Sequence, residues 1–194
     1  MSSLKLLLVL LIPSIKAFVN LNTTEQLPRG VNQLHGLSHL SASNAEFPAR
    51  CESEWTLFAK TDACYKTFFG KTFDSAEYIC STYRGHLTSI HSYEENNFIA
   101  ELTKMDKPTS TYTDFTWIGL HLKTNSKKWT WTDGTEVDFG PWAKGCPDRG
   151  NGKCALLINE VHLNDPHGLY YHTWADWPCD QKLRIFVCKK MALH

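Results

Sequence analysis

Seven cysteines constrain this 194-residue chain more than any other feature: six at positions 51, 64, 80, 154, 179 and 188, and a seventh at 146. What they do depends on the compartment. Residues 1–5 form a short start with a single basic side chain, residues 6–12 are an apolar run, and residues 14–17 bring small side chains before a polar segment. That order is a secretory signal peptide over residues 1–17. A membrane anchor needs roughly 20 apolar residues, and Pro13 interrupts this run well short of that. Secretion to an extracellular, oxidising compartment is therefore expected, where cysteines pair. Which cysteine pairs with which does not follow from the spacing, because six allow many connectivities and a seventh adds more.

Lys plus Arg equals Asp plus Glu, 20 against 20, and no basic block occurs. Nucleic acid and an anionic membrane are excluded as expected partners on that ground. With 42% hydrophobic residues and seven tryptophans the chain can bury a core, and its length suits one domain. Residues 18–50 mix Asn, Ser, Leu, Pro and His without a period and contain no cysteine, so they read as a flexible N-terminal arm. The arm includes a glycosylation triplet at Asn22. The folded domain is expected over residues 51–190.

Within the domain, residues 72–84 place Phe73, Ala76, Cys80 and Tyr83 on one helical stripe, with Thr72 or Asp74 as cap and Gly85 as stop. A second helix opens on a capping box of Ser92 and Glu95, gains first-turn charge from Glu94, and buries Phe98, Ile99, Leu102 and Met105 before Pro108. Two adjacent carboxylates invite an acid-catalysis reading, but the first turn of a helix makes capping their expected role. Downstream the period changes. Residues 115–122, 128–132, 154–159 and 184–189 are short and rich in aromatic or aliphatic side chains, as strands are, and Asp133-Gly134 marks a turn. Long loops are expected over 140–153 and 161–178. Helices followed by strands make an α+β domain.

This pattern resembles the C-type lectin-like domain family over residues 51–189. The resemblance rests on an ordered set: Cys64-Tyr65, Phe73 to Cys80, Gly85-His86-Leu87, Glu94-Glu95-Asn96 with Phe98, Trp117-Ile118-Gly119-Leu120, Trp129-x-Trp131-x-Asp133-Gly134, Trp142, Cys154, Trp174-x-Asp176, Cys179 and Cys188. It implies two helices, two small antiparallel sheets, long loops and three disulfides: Cys51 with Cys64, Cys80 with Cys188 and Cys154 with Cys179. Cys146 is left over from these pairs. Tying the first helix to the last strand closes a loop of about 100 residues, worth on the order of 4 to 5 kcal/mol in the chain-entropy picture.

The resemblance also implies a place for sugar, a calcium ion that binds neighbouring hydroxyls. Calcium takes roughly 6 to 8 hard oxygen ligands. Where the family carries Glu-Pro-Asn or Gln-Pro-Asp this chain has Cys146-Pro147-Asp148, and where it carries Trp-Asn-Asp this chain has Trp174-Ala175-Asp176. Asp148 and Asp176 remain as calcium candidates. Cys146 presents soft sulfur, Ala175 presents nothing, and residues 149–153 contain no Glu where one is expected. A second calcium position would draw on Leu122 and Ser126, which carry no carboxylate. The expectation is therefore a degraded calcium and sugar site, with no cofactor required. Asp176 then orders its loop by hydrogen bonding and Pro147 makes a cis bend.

Pro147, Asp148, Asp176 and Trp177 are the candidate ligand-binding residues. An indole face can stack on the apolar face of a sugar, a role Trp177 shares evenly with core packing, while Trp142 reads as core. Residues 159–173 form an insertion rich in Glu160, His162, Asp165, His167, His172 and two tyrosines, the expected seat of a private ligand, and its loss is expected to leave the fold intact. Three classes of function follow. The resemblance implies a recognition protein for a glycan or for a cell-surface or secreted protein, placing this chain in an innate-defence or secretion repertoire. The closest family motif, Gln-Pro-Asp, leans toward galactose-type sugars. A zinc site joining Cys146 to histidines of the insertion is the second. An enzyme is the third, and no Ser-His-Asp or Cys-His arrangement supports it.

Overall fold

The longest strand pairing among the described residues brings the start and the end of the folded domain together. In a computed structural model that describes residues 50–123, 126–147, 152–163 and 170–194, strand β2 (Ala63–Lys71) runs antiparallel to β8 (Leu183–Met191), with Tyr65 opposite Lys189 and Phe68 opposite Phe186. Both faces of this pair carry buried side chains, Tyr65 and Val187 on one and Cys64 and Phe186 on the other. The short strands β1 (Thr56–Phe58) and β3 (His86–Leu87) pair with β2 and β8 respectively. A second antiparallel group consists of β4 (Thr116–Leu122), β5 (Trp129–Trp131), β6 (Cys154–Leu157) and β7 (Trp174–Trp177). These are the two sheets the sequence implies, but they are joined: Thr116 and Trp117 pair in parallel with Ile185 and Phe186, giving one continuous sheet in the order β1-β2-β8-β4-β6-β7.

Helix α1 (Phe73–Thr82) buries Phe73, Ala76 and Cys80 as the stripe predicts, with Thr72 at its N-cap. Tyr83 at the end of the stripe is exposed. The stop differs from expectation. Arg84 takes the left-handed conformation, φ 60°, and Gly85 is required for another reason: a Cβ there would lie 2.5 Å from the Lys189 carbonyl oxygen. Gly119 in the Trp-Ile-Gly-Leu run has the same role, since a Cβ would lie 2.4 Å from the Leu87 carbonyl oxygen.

Helix α2 (Tyr93–Thr103) begins as predicted, with Ser92 Oγ accepting from the Glu95 backbone N–H at 3.1 Å. Its buried face is rotated from the expected one. Ile99, Ala100 and Thr103 are buried with Glu95 and Asn96, while Phe98, Leu102 and Met105 sit at the margin. The reason is polar. Glu95 has no exposed surface and accepts from the Tyr65 hydroxyl (2.6 Å), the His91 backbone N–H (2.8 Å) and Lys189 Nζ (2.6 Å). Burial and the Glu95 charge push the Tyr65 phenol far above its ordinary range. Lys189 also donates to the Ser89 carbonyl, and Ser89 to Asp133 at 2.5 Å, so one buried network ties α2, β2, β8 and the turn after β5.

Three disulfides, Cys51–Cys64, Cys80–Cys188 and Cys154–Cys179, close in the pairing the resemblance implies. Around them lie two core groups. Trp117, Phe115, Leu156 and Phe186 centre one; Trp174, Trp131, Tyr65, Ile99 and Leu157 centre the other. Residues 1–49, with the expected signal peptide, most of the arm and Asn22, lie outside the described residues. Among the described residues no helix is long and apolar enough to cross a membrane.

Candidate functional site

The residues that carry the degraded motif lie on a strand that the sequence reading assigned to a loop. Trp174, Ala175, Asp176 and Trp177 form β7, opposite Leu157, Leu156, Ala155 and Cys154 of β6. Its composition, two tryptophans around Ala-Asp, hides the strand because three of its four positions are buried and no alternation survives. The disulfide from Cys154 to Cys179 holds the pair at one end. On its other edge β7 receives the chain before Cys146: the Ala143 N–H donates to the Trp174 carbonyl at 2.8 Å, and the Trp174 N–H to that of Pro141 at 2.9 Å. Trp142 packs between Trp129 (4.9 Å) and Trp174 (5.9 Å), the core role expected of it.

The peptide between Cys146 and Pro147 is cis. Cys146 is partly buried against the core and lies outside the three disulfides. Asp148 and the carboxylate of Asp165 fall outside the described residues, as does His167. Asp176 is 8% exposed and closely covered by Gly152, where a Cβ would lie 2.9 Å from its Oδ2, 2.6 Å from its carbonyl carbon and 2.4 Å from the Trp177 nitrogen. Beside it, the buried methyl of Ala175 offers no ligand. Among the described residues these positions carry the carboxylate of Asp176, the soft sulfur of Cys146 and the methyl of Ala175, whereas calcium takes hard oxygens. Among the described residues no three His, Cys, Asp or Glu side chains converge where a metal would sit.

Trp177 is half-buried and stacks on Tyr112 at 5.0 Å. The opposite face of Tyr112 stacks on His162 at 4.6 Å, and His162 in turn meets Phe115 at 6.0 Å. One indole face is thus spent on the protein, and its Nε1 is buried without a hydrogen-bond partner. Sequence reasoning missed Tyr112, which sits in a single 3-10 turn (Tyr112–Asp114) with no periodic signal.

The described parts of the insertion are stitched to the domain at both ends. The Thr109 N–H donates to the Val161 carbonyl (2.9 Å) and the Leu163 N–H to that of Thr109 (2.7 Å). Glu160 accepts the Met105 N–H. At the far end Asn96 Nδ2 donates to the His172 carbonyl at 2.8 Å, and the Tyr171 hydroxyl to Glu101 at 3.1 Å. His162 points inward while Val161 and Leu163 face out, and with Tyr170 and Tyr171 they leave four large apolar or aromatic side chains exposed on this segment.

Comparison with known proteins adds four facts to this geometry. The family model for the lectin C-type domain matches residues 69–190. The alpha-N-acetylgalactosamine-specific lectin of Patiria pectinifera is 36% identical over 141 residues, covering 70% of this chain and 77% of its own length. Among solved structures, the cow CD23 C-type carbohydrate-recognition domain, determined in the presence of a GlcNAc2Man3 oligosaccharide, superposes with a TM-score of 0.60 at 26% identity, covering 75% of this chain and 99% of that one. A calcium-independent type II antifreeze protein superposes at 0.56 with 28% identity, covering 76% and 99%.

Proposed function

The chain belongs to the C-type lectin domain family, and from that premise we propose that it is a secreted, non-catalytic recognition protein whose site works without calcium. The observation that carries this reading is the state of β7 and its neighbour. Ala175 and Cys146 stand where oxygen ligands are needed, and Asp176 is packed under Gly152. A glycan here is held by hydrogen bonds and by the exposed part of half-buried Trp177 in place of an ion. Pro147 follows Cys146 through a cis peptide, and Asp148 is the next residue in the sequence. Because the Patiria lectin is specific for alpha-N-acetylgalactosamine, and Cys146-Pro147-Asp148 is nearest to the galactose-leaning motif, sugars of that class are the first to try.

A second reading, a protein surface as ligand, is favoured by Val161, Leu163, Tyr170 and Tyr171, which are between 40% and 67% exposed. Large exposed apolar side chains grouped on one segment mark interaction sites. The test is a glycan array run on the secreted protein in calcium and again in chelator. Binding that survives the chelator supports the first reading. Binding that the chelator abolishes overturns it, and an array without signal leaves the protein-binding reading.

A further inference from the structure

We propose that His172 is an acid-operated hinge: neutral, its ring stays packed beside α2 and fixes the turn Tyr170–Thr173 that leads into β7; charged, it leaves, and the recognition surface on that side loosens. The inference rests on the recognition reading above, whose surface includes Tyr170 and Tyr171.

The backbone at His172 is in the left-handed region, φ 69°, which a residue with a Cβ occupies only when its surroundings hold it there. Those surroundings are identifiable. Its N–H donates to the Ile158 carbonyl at 2.8 Å, and its carbonyl accepts from Asn96 Nδ2 at 2.8 Å. Buried Asn96 also accepts the Trp174 indole N–H at 2.8 Å, so one side chain of α2 grips both the hinge and the first residue of β7. The next residue continues the lock, with the Ile158 N–H donating to the Thr173 carbonyl at 2.9 Å.

The ring lies on Tyr171 with centroids 3.7 Å apart, and its Nε2 is buried with no hydrogen-bond partner. An imidazolium must donate from both nitrogens, so charging this ring in place leaves a buried N–H unmet. Burial accordingly holds His172 below the ordinary imidazole value, and the opposing pull of Glu101 on α2 does not restore it. That carboxylate is already engaged by Lys104 at 3.0 Å and by the Tyr171 hydroxyl at 3.1 Å. Among the described residues the further charges on this side include Asp106, paired with Lys104 at 3.1 Å, Glu160, whose field reaches Tyr171, and Arg184, which donates to the Thr103 carbonyl and feels Glu160. The sign follows. The packed turn is fully favoured above the free imidazole value of about 6.5, and loses ground as pH falls below it, until the lowered value of the packed state is passed.

The experiment is hydrogen exchange on the full secreted chain at pH 7.5 and pH 5, corrected for intrinsic exchange. It reads the His172 and Thr173 amides against the Val187 amide in the β2–β8 core. His172→Asn is the paired variant, since Asn tolerates the left-handed region and does not titrate; His172→Gly is its companion should Asn fail to fold. Relative protection of the two amides should fall by at least about threefold at pH 5 in the natural chain and stay constant in the variant. An equal fall in the variant, or no fall in the natural chain, overturns the hinge. A glycan array without signal leaves this readout untouched, so failure of the hinge and failure of the recognition reading are distinguishable.

Discussion

At the level of single residues, the structure turns several motif letters into specific contacts. Glu95 heads a capping box in the sequence, yet its carboxylate is a buried hub for Tyr65, His91 and Lys189. Glu95→Ala leaves Lys189 charged without its partner, and a broken buried pair costs about 3 to 5 kcal/mol; urea unfolding should show that loss, and a loss under about 1 kcal/mol would make the network dispensable. Asp133 supplies the pH test. Burial alone would raise its carboxyl, but bonds from the Ser89 hydroxyl and from Thr135, with the Lys189 charge, hold it below the ordinary value. A lowered carboxyl stabilises the fold above its unfolded value of about 3.9, and that contribution vanishes as pH falls through the lowered one. Asp133→Asn should therefore lower stability at pH 7 and flatten the acid limb of the stability profile, read by melts between pH 7 and pH 2. A variant that loses stability in acid as steeply as the natural chain would remove Asp133 from that role. Gly152→Ala should disturb Asp176 and Trp177 specifically, because the clash is with their backbone.

The elements were unevenly legible from the sequence, for physical reasons. Helices α1 and α2 announce themselves through period and caps, and β4 through an apolar run. Strand β2, nine residues long, escaped because Ala63, Cys64 and Tyr65 are buried in succession, Lys66 and Thr67 are polar in mid-strand, and Phe69 is exposed beside Gly70, so no alternation survives. Strand β7 escaped because burial on both faces erased alternation. The parallel join of β4 to β8 depends on residues about 70 apart in the chain, Thr116 and Ile185, and no local signal reports it. The insertion is the case where the structure adds to an expectation. Its removal is expected to leave the fold and alter binding; residues 161–163 and 171–172 add a stability cost to that, through hydrogen bonds to Thr109, Glu101 and Asn96. At about 1 kcal/mol each for three such bonds, deleting residues 162–172 should lower the melting temperature by roughly 6 to 12 °C while the far-ultraviolet circular dichroism keeps its native form. An unchanged melting temperature would show the segment to be energetically separate.

For the whole molecule, the disulfide pairing makes a framework that does not depend on the site. Cys80–Cys188 spans 108 residues, and Cys154–Cys179 holds the β6–β7 pair at the end of the sheet. The sequence reads the candidate site as a deficit from Ala175, Cys146 and the missing Glu in residues 149–153, and that deficit is part of the proposal. The enclosure of Asp176 was not legible, because its cover comes from Gly152, a residue whose contribution is the absence of a side chain. The central claim is that this scaffold recognises its ligand without calcium, and a calcium titration of the melting temperature tests it most directly. A ligand stabilises only as its concentration passes its dissociation constant, and a site reduced to water and backbone oxygens belongs at the millimolar end for extracellular modules, or weaker. The melting temperature should not move between chelator and a few tens of micromolar calcium; a rise of several degrees over that range would contradict the account.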